Sequence, residues 1–273
     1  MRIRDLAAAL AALIALPAAA YTIDGNLADW GVQTNYTTNK AIKGYTIDTD
    51  STGSLSQYVN PGWGGQAYDA EALYIDYDSS KLYLALITGH NPAMVNSGSS
   101  SYAPGDFLID FGRDGVFDYG IKTTGASKGS LFKIGKNDVK LGLFSGQGTP
   151  YANGKNAVSI LDGHGQNVGA GALAISGPFT GYGTYTLDKH YAYEVAIDIS
   201  LFDPKFWNTP FDVQWTMQCG NDVITADPPT GFVPEPMSLA LFGMALAGLA
   251  LSHRRQRWLA RRIQVGSTRS ISA

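Results

Sequence analysis

The run of residues best equipped for chemistry spans 106–120 and carries carboxylates at Asp106, Asp110, Asp114 and Asp118. Asp114-Gly115 makes a tight turn between two apolar runs, so Asp110 and Asp118 flank it on opposite strands. Carboxylates converging in this way suit Ca²⁺, which takes several oxygen ligands in a flexible geometry. Asp110, Asp114 and Asp118 are therefore candidate calcium ligands, although Arg113 stands where a further ligand or a glycine is expected. The same residues also read as a plain hairpin turn, with the carboxylates solvated or paired with Arg113.

A second group lies upstream. Trp63 sits in Pro61-Gly62-Trp63-Gly64-Gly65-Gln66, among small and turn-forming neighbours that give its indole no strand or helix context. A loop Trp can stack on the apolar face of a sugar ring, with Gln66 and Asp69 offering hydrogen bonds, or it can close one end of the fold as a lid. Asp69 and Glu71 fall two apart in an extended run and so share one sheet face. Two carboxylates flanking a glycosidic bond can hydrolyse it, but ion pairing and solvation are commoner fates in an acidic protein.

Other signals are weaker. His90, His164 and His190 are isolated in sequence and lack paired metal-ligand spacing. Gly125-Ala126-Ser127-Lys128-Gly129 has the spacing of a nucleophile elbow but not its strand-to-helix context. Cys219 is a small thiol expected to be buried, and Asn221 and Asp222 after it read as turn caps or oxygen donors. Trp30, Trp207 and Trp215 lie in or beside apolar runs and read as core.

The elements that must position these residues are strands. Seven runs are expected: 72–77, 82–88, 107–111, 119–123, 131–134, 191–199 and 211–217. Leu73/Ile75/Tyr77 and Tyr191/Tyr193/Val195/Ile197/Ile199 alternate with the period of two expected when one sheet face is buried. Asp78-Ser79-Ser80-Lys81 connects two runs as a hairpin. The stretch 142–183 is Gly-rich and reads as long loops on weak strands. With no strong amphipathic helix between 21 and 231, the fold class is all-β, an antiparallel sandwich.

The two ends differ from this body. Arg2 and Arg4, the apolar run Leu6–Leu16 and the small residues Pro17-Ala18-Ala19-Ala20 form a signal peptide over 1–20, with cleavage after Ala20. Val233-Pro234-Glu235-Pro236 precedes an uncharged stretch, Met237–Ser252, and then His253-Arg254-Arg255-Gln256-Arg257. Sixteen helical residues span about 24 Å, a short membrane crossing with the arginines held on the cytoplasmic side. The expected organisation is a signal peptide (1–20), a β-sandwich (21–227), a linker (228–236), a transmembrane helix (237–252) and a basic cytoplasmic tail (253–273).

The overall charge of −3 is split unevenly, because the body carries 12 basic against 21 acidic side chains. A nucleic-acid partner is excluded on this reading, since it needs basic surface to displace counterions. A single cysteine in an exported chain permits no internal disulfide.

The tail, through Val233, Pro234, Glu235, Pro236, Arg254 and Arg255, resembles the PEP-CTERM sorting signal of exopolysaccharide-producing Gram-negative bacteria. That resemblance implies an exosortase-type transpeptidase as partner. It also implies anchorage in the inner membrane before processing, then the cell surface or extracellular matrix. The chain departs from such tails by continuing to Ala273.

Within the body, Ile23-Asp24-Gly25-Asn26-Leu27-Ala28-Asp29-Trp30 resembles the opening of family 9 carbohydrate-binding modules and DOMON-like domains. So do Glu71–Asp78 with Leu82–Ala85, then Gly105–Asp110, and Tyr193-Glu194-Val195-Ala196-Ile197-Asp198. This resemblance implies a jelly-roll-like sandwich. The leading functional expectation is a non-catalytic module binding extracellular polysaccharide, with structural calcium. The alternatives are a carboxylate-dependent polysaccharide hydrolase and a DOMON-like redox or haem domain.

Overall fold

The computed structural model describes residues 21–48, 58–59, 62–98, 101–145, 154–229 and 231–232. The expected signal peptide, the Pro-Glu-Pro segment, the membrane span and Arg254 and Arg255 lie outside the described residues. Among the described residues no helix is long and apolar enough to cross a membrane.

Two antiparallel sheets carry the architecture. The first holds β1 (Gly44–Ile47), β4 (Ala70–Tyr77), β5 (Lys81–Thr88), β13 (Tyr191–Asp198) and β12 (Ala172–Ile175), in that spatial order. The second runs β11 (Gln166–Ala170), β8 (Ser130–Lys133), β7 (Tyr119–Ile121), β6 (Phe107–Phe111), β14 (Phe211–Thr216) and β15 (Val223–Ala226). Two ribbons complete the set: β2 (Tyr58–Val59) with β3 (Gly62–Trp63), and β9 (Val139–Ser145) with β10 (Lys155–Ile160). All seven expected strands form, within two residues at each end. The stretch 142–183, expected to hold long loops on weak strands, contributes β10, β11 and β12.

The sheets face each other across one core, where Leu73, Leu84 and Val195 of the first meet Ile109, Ile121 and Val213 of the second. This two-layer packing is the expected sandwich. Its sides are covered too, which the alternation reading missed. In β4, β5 and β13 nearly every residue is buried, on both faces. The outer face presents Ala72, Tyr74, Tyr83 and Ala196 to Leu27, Trp30, Val32 and Tyr36 of the N-terminal segment. A third apolar layer, Leu108, Phe117, Val139, Ala157 and Ile160, covers the other sheet from outside with the β9–β10 ribbon. Of the expected core tryptophans, Trp30 and Trp215 are wholly buried, whereas Trp207 is 37% exposed and does not belong to the core.

The body also ends later than expected. Phe232 is fully buried and packs against Tyr77, Phe111, Phe202 and Phe211, with ring centroids 5.2–6.1 Å apart. Its carbonyl accepts the Asn208 amide at 2.9 Å. The boundary at 227 is therefore corrected: a linker beginning at 228 would be free of the core, and this aromatic is part of it. The chain as a whole divides into a unit spanning Met1–Val233 and a second spanning Pro234–Ala273.

Candidate functional site

A cleft of about 210 Å³ opens beside the start of β4 and the segment before β13. Its inner groups are Gln66, Glu71 and His190, and its walls are Asn35 and Tyr36 on one side and Tyr182–Tyr185 and Asp188 on the other.

Glu71 reaches the cleft because the β4–β5 register slips between Ala70 and Ala72. The slip breaks strict alternation, so Ala70 joins the inter-sheet core while Ala72 joins the outer layer. Glu71 Oε1 accepts from Gln66 Nε2 at 2.6 Å and lies 3.3 Å from His190 Nδ1. Gln66 is itself fixed from behind, because a Cβ at Gly89 would collide with its carbonyl oxygen. Both Glu71 and His190 are almost wholly buried.

Tyr36 forms part of the wall at a cost. Its φ of 65° places a bulky aromatic in the left-handed region, about 1–2 kcal/mol less favourable than the right-handed one. The conformation is held by its amide donating to the Gln33 carbonyl at 2.9 Å and by its own carbonyl accepting the Tyr74 hydroxyl at 2.6 Å. It turns the Tyr36 hydroxyl onto the Glu71 carboxylate, and burial together with that carboxylate pushes the phenol pKa far up. Gly183, at φ 66°, lets the facing loop come close, since a Cβ there would touch the Tyr36 hydroxyl.

Two polar atoms here lack partners: Nε2 of His190 and Oδ2 of Asp188. Burial raises the Asp188 pKa, with His190 pulling it down and Glu71 pushing it up.

The residues singled out from sequence divide between this cleft and other places. Gln66 lines the cleft. Asp69 does not. It is 1% exposed and lies beside Asp222, whose Oδ2 accepts the Ala70 amide at 2.6 Å. Burial plus the Glu71, Asp222 and Asp48 charges push Asp69 up to about 10. Trp63 pairs through its backbone with Tyr58 in the β2–β3 ribbon.

Asp110, Asp114 and Asp118 do meet at one turn, where their oxygens take backbone amides. Asp110 accepts from Asp114 at 3.2 Å and from Gly115 at 2.8 Å, Asp114 from Val116 at 2.9 Å, and Asp118 from Phe111 at 2.9 Å. Among the described residues the Arg113 side chain forms no ion pair with any of the three. Its guanidinium binds Asp212 at 2.7 Å and the Pro228 carbonyl at 2.8 Å. Among the described residues no group of three or more His, Cys, Asp or Glu is arranged to hold a metal ion.

The histidines part company. His90 is sealed beside Trp215 with Nε2 on the Tyr102 carbonyl, and burial lowers its pKa to about 4. His164 lies half-exposed, 3.2 Å from Asp138. Sequence spacing could not find the Glu71–His190 pair, because its members stand 119 positions apart. The Tyr-rich run Gly181-Tyr182-Gly183-Thr184-Tyr185 was the one local signal.

The other end of the chain decides where this cleft is carried. Residues 232–255 match the family model of the PEP-CTERM protein-sorting motif. The chain carries a PEP-CTERM motif. It is thus an exported protein with a C-terminal, membrane-anchored sorting signal for an exosortase, as the Pro-Glu-Pro and arginine pattern led us to expect. No curated protein matches the chain. The PEP-CTERM match begins at Phe232, so the sorting motif starts on a core residue of the folded body.

Proposed function

We propose that this PEP-CTERM protein is a non-catalytic sandwich, delivered to the cell surface or extracellular matrix, that binds polysaccharide in the Gln66–Glu71–His190 cleft. The signal peptide over 1–20 and the helix over 237–252 belong to this reading as the export and anchoring segments. So does the likeness of the body to family 9 carbohydrate-binding modules.

The observation that carries the proposal is the composition of the cleft. Tyr182 and Tyr185 offer ring faces, and Gln66, Asn35, Glu71 and Asp188 offer donors and acceptors beside them. Sugar recognition needs that combination: an apolar ring face is stacked while its edge hydroxyls are hydrogen-bonded. At about 210 Å³ the cleft is smaller than the ~300–1,000 Å³ of drug-sized pockets, and it suits one sugar residue of a longer chain. Calcium at Asp110, Asp114 and Asp118 enters this reading as support for a turn distant from the cleft in sequence.

The test is retention of the full chain, purified in detergent, on a panel of immobilised bacterial polysaccharides. Retention that Tyr182→Ala abolishes supports the reading. Absence of retention on every polymer, by a folded protein, removes it.

A second reading draws on the Glu71–His190 pair, since a carboxylate beside an imidazole in an open cleft can move protons. Release of reducing ends, lost in Glu71→Gln, would establish that hydrolase. Asp69, the second carboxylate that the sequence offered for it, is not among the residues lining the cleft.

A further inference from the structure

Resting on the cleft as a saccharide site, we infer that the sugar it selects carries a protonated amine, as in a de-N-acetylated amino-sugar polymer. Three features converge on this ligand class.

The first is an unmet need for donors. Through Nδ1, His190 stands 3.3 Å from both Glu71 Oε1 and the Gln66 amide nitrogen, and the Asp188 carboxylate beside it is an acceptor whichever ring nitrogen carries the proton. Nε2 of His190 and Oδ2 of Asp188 are both buried and both lack a partner. An unmet buried acceptor is costly, so a ligand presenting donors at this point gains more than one presenting acceptors. An ammonium group supplies three N–H donors from a single atom, where a hydroxyl supplies one.

The second is charge. Glu71 and Asp188 both line the cleft, and none of its described lining residues is Lys or Arg. The body around it is acidic, with 21 acidic side chains against 12 basic. A cation entering the cleft forms charge-assisted hydrogen bonds, whereas a uronic acid or phosphorylated sugar meets like charge.

The third is the aromatic wall. Tyr36 and Tyr182 line the cleft together with Glu71 and Asp188, their ring centroids 6.1 Å apart, so aromatic rings border the acidic groups. Ring faces attract cations as well as sugar C–H surfaces.

The experiment titrates the full chain in detergent with three probes of equal length: a glucosamine hexamer, an N-acetylglucosamine hexamer and cellohexaose. The glucosamine hexamer is expected to bind about tenfold or more tighter than either neutral probe, as one charge-assisted contact allows. Asp188→Asn is expected to erase that preference while leaving weak binding of the neutral hexamers. Because a change at Asp188 can disturb its loop, Leu187→Ser, at a 90% exposed neighbour outside the cleft, serves as a loop control that keeps the preference. Equal affinity for all three probes, or preference for a neutral one, overturns the amine assignment but leaves a saccharide site standing. Binding of none of the three by folded protein overturns the amine assignment and counts against the saccharide site too. A preference that survives Asp188→Asn overturns the assignment to this cleft.

Discussion

The indole of Trp30 donates to the Glu194 carboxylate at 2.9 Å, across 164 positions of sequence. The other oxygen of Glu194 accepts the Gly25 amide at 2.5 Å and the Asp24 amide at 3.1 Å. Burial raises the Glu194 pKa, and these three donors pull it back down. One buried carboxylate thus fastens the N-terminal segment to the outer face of β13, and two separate stretches that suggested the sandwich from sequence meet here. Tyr21, the expected first residue after signal cleavage, extends the clasp by stacking on Trp30 at 4.0 Å and donating to Asp76 at 2.5 Å.

Removing that carboxylate strands three donors. Glu194→Ala is expected to cost about 3–5 kcal/mol, and Trp30→Phe, which keeps a large ring and loses one bond to a charged group, about 2 kcal/mol or somewhat more. Denaturant unfolding of each variant measures both, and the reverse ranking would show that ring packing, not the carboxylate, holds the segment.

Stability should fall as pH rises. Asp69 lies at about 10 in the folded protein against its ordinary 3.8, and Asp222 is raised as well. Between those values the folded state binds more protons than the unfolded one, so alkali favours unfolding. The charges facing the pair are Asp48 and Glu71, and both add to the effect. Asn at position 69 mimics the protonated acid, so Asp69→Asn should flatten the decline in melting temperature from about pH 4 to about pH 10. An unaltered decline in both Asp69→Asn and Asp222→Asn assigns it to other groups.

The end of the body can be mapped by truncation. A chain stopped after Val233 retains Phe232 and should unfold like the parent body. A chain stopped after Asp227, at the boundary read from sequence, loses that ring, at a cost of about 3–5 kcal/mol for a fully buried Phe. Equal stability of the two would place Phe232 outside the core.

At the 110–118 turn, Asp110→Ala frees the Asp114 and Gly115 amides and is expected to cost about 1–3 kcal/mol. Adding calcium to the parent protein tests the same residues for a second role. A rise in melting temperature that Asp110→Ala abolishes assigns a cation to this turn.

Much of the sandwich was legible because β6, β13 and β14 are continuous apolar or alternating runs bounded by turn residues. Strands such as β11, Gln-Asn-Val-Gly-Ala, were not legible, because their residues carry little intrinsic β preference and are held by their neighbours. The burial of Asp106 and Glu194 was equally hidden, since a sequence shows charge but not the backbone amides that will satisfy it. The cleft was half legible. Gln66 and Glu71 lie close together in sequence, but their partner His190 and the strained Tyr36 arrive through long-range packing. Around Asp69 and Glu71 the sequence could not show the register slip between Ala70 and Ala72, which is invisible in the period of the side chains.

Cys219 is 1% exposed, and burial pushes its thiol up to about 11. At the pH of most extracellular media it therefore stays a protonated thiol within the fold, unable to present the thiolate that disulfide exchange requires. Copies crowded together outside the cytoplasm, where oxidants are plentiful, have no reactive sulfur through which to cross-link. The fold can therefore reach its destination without help from disulfide-forming enzymes, and reducing agents should leave its state of assembly unchanged.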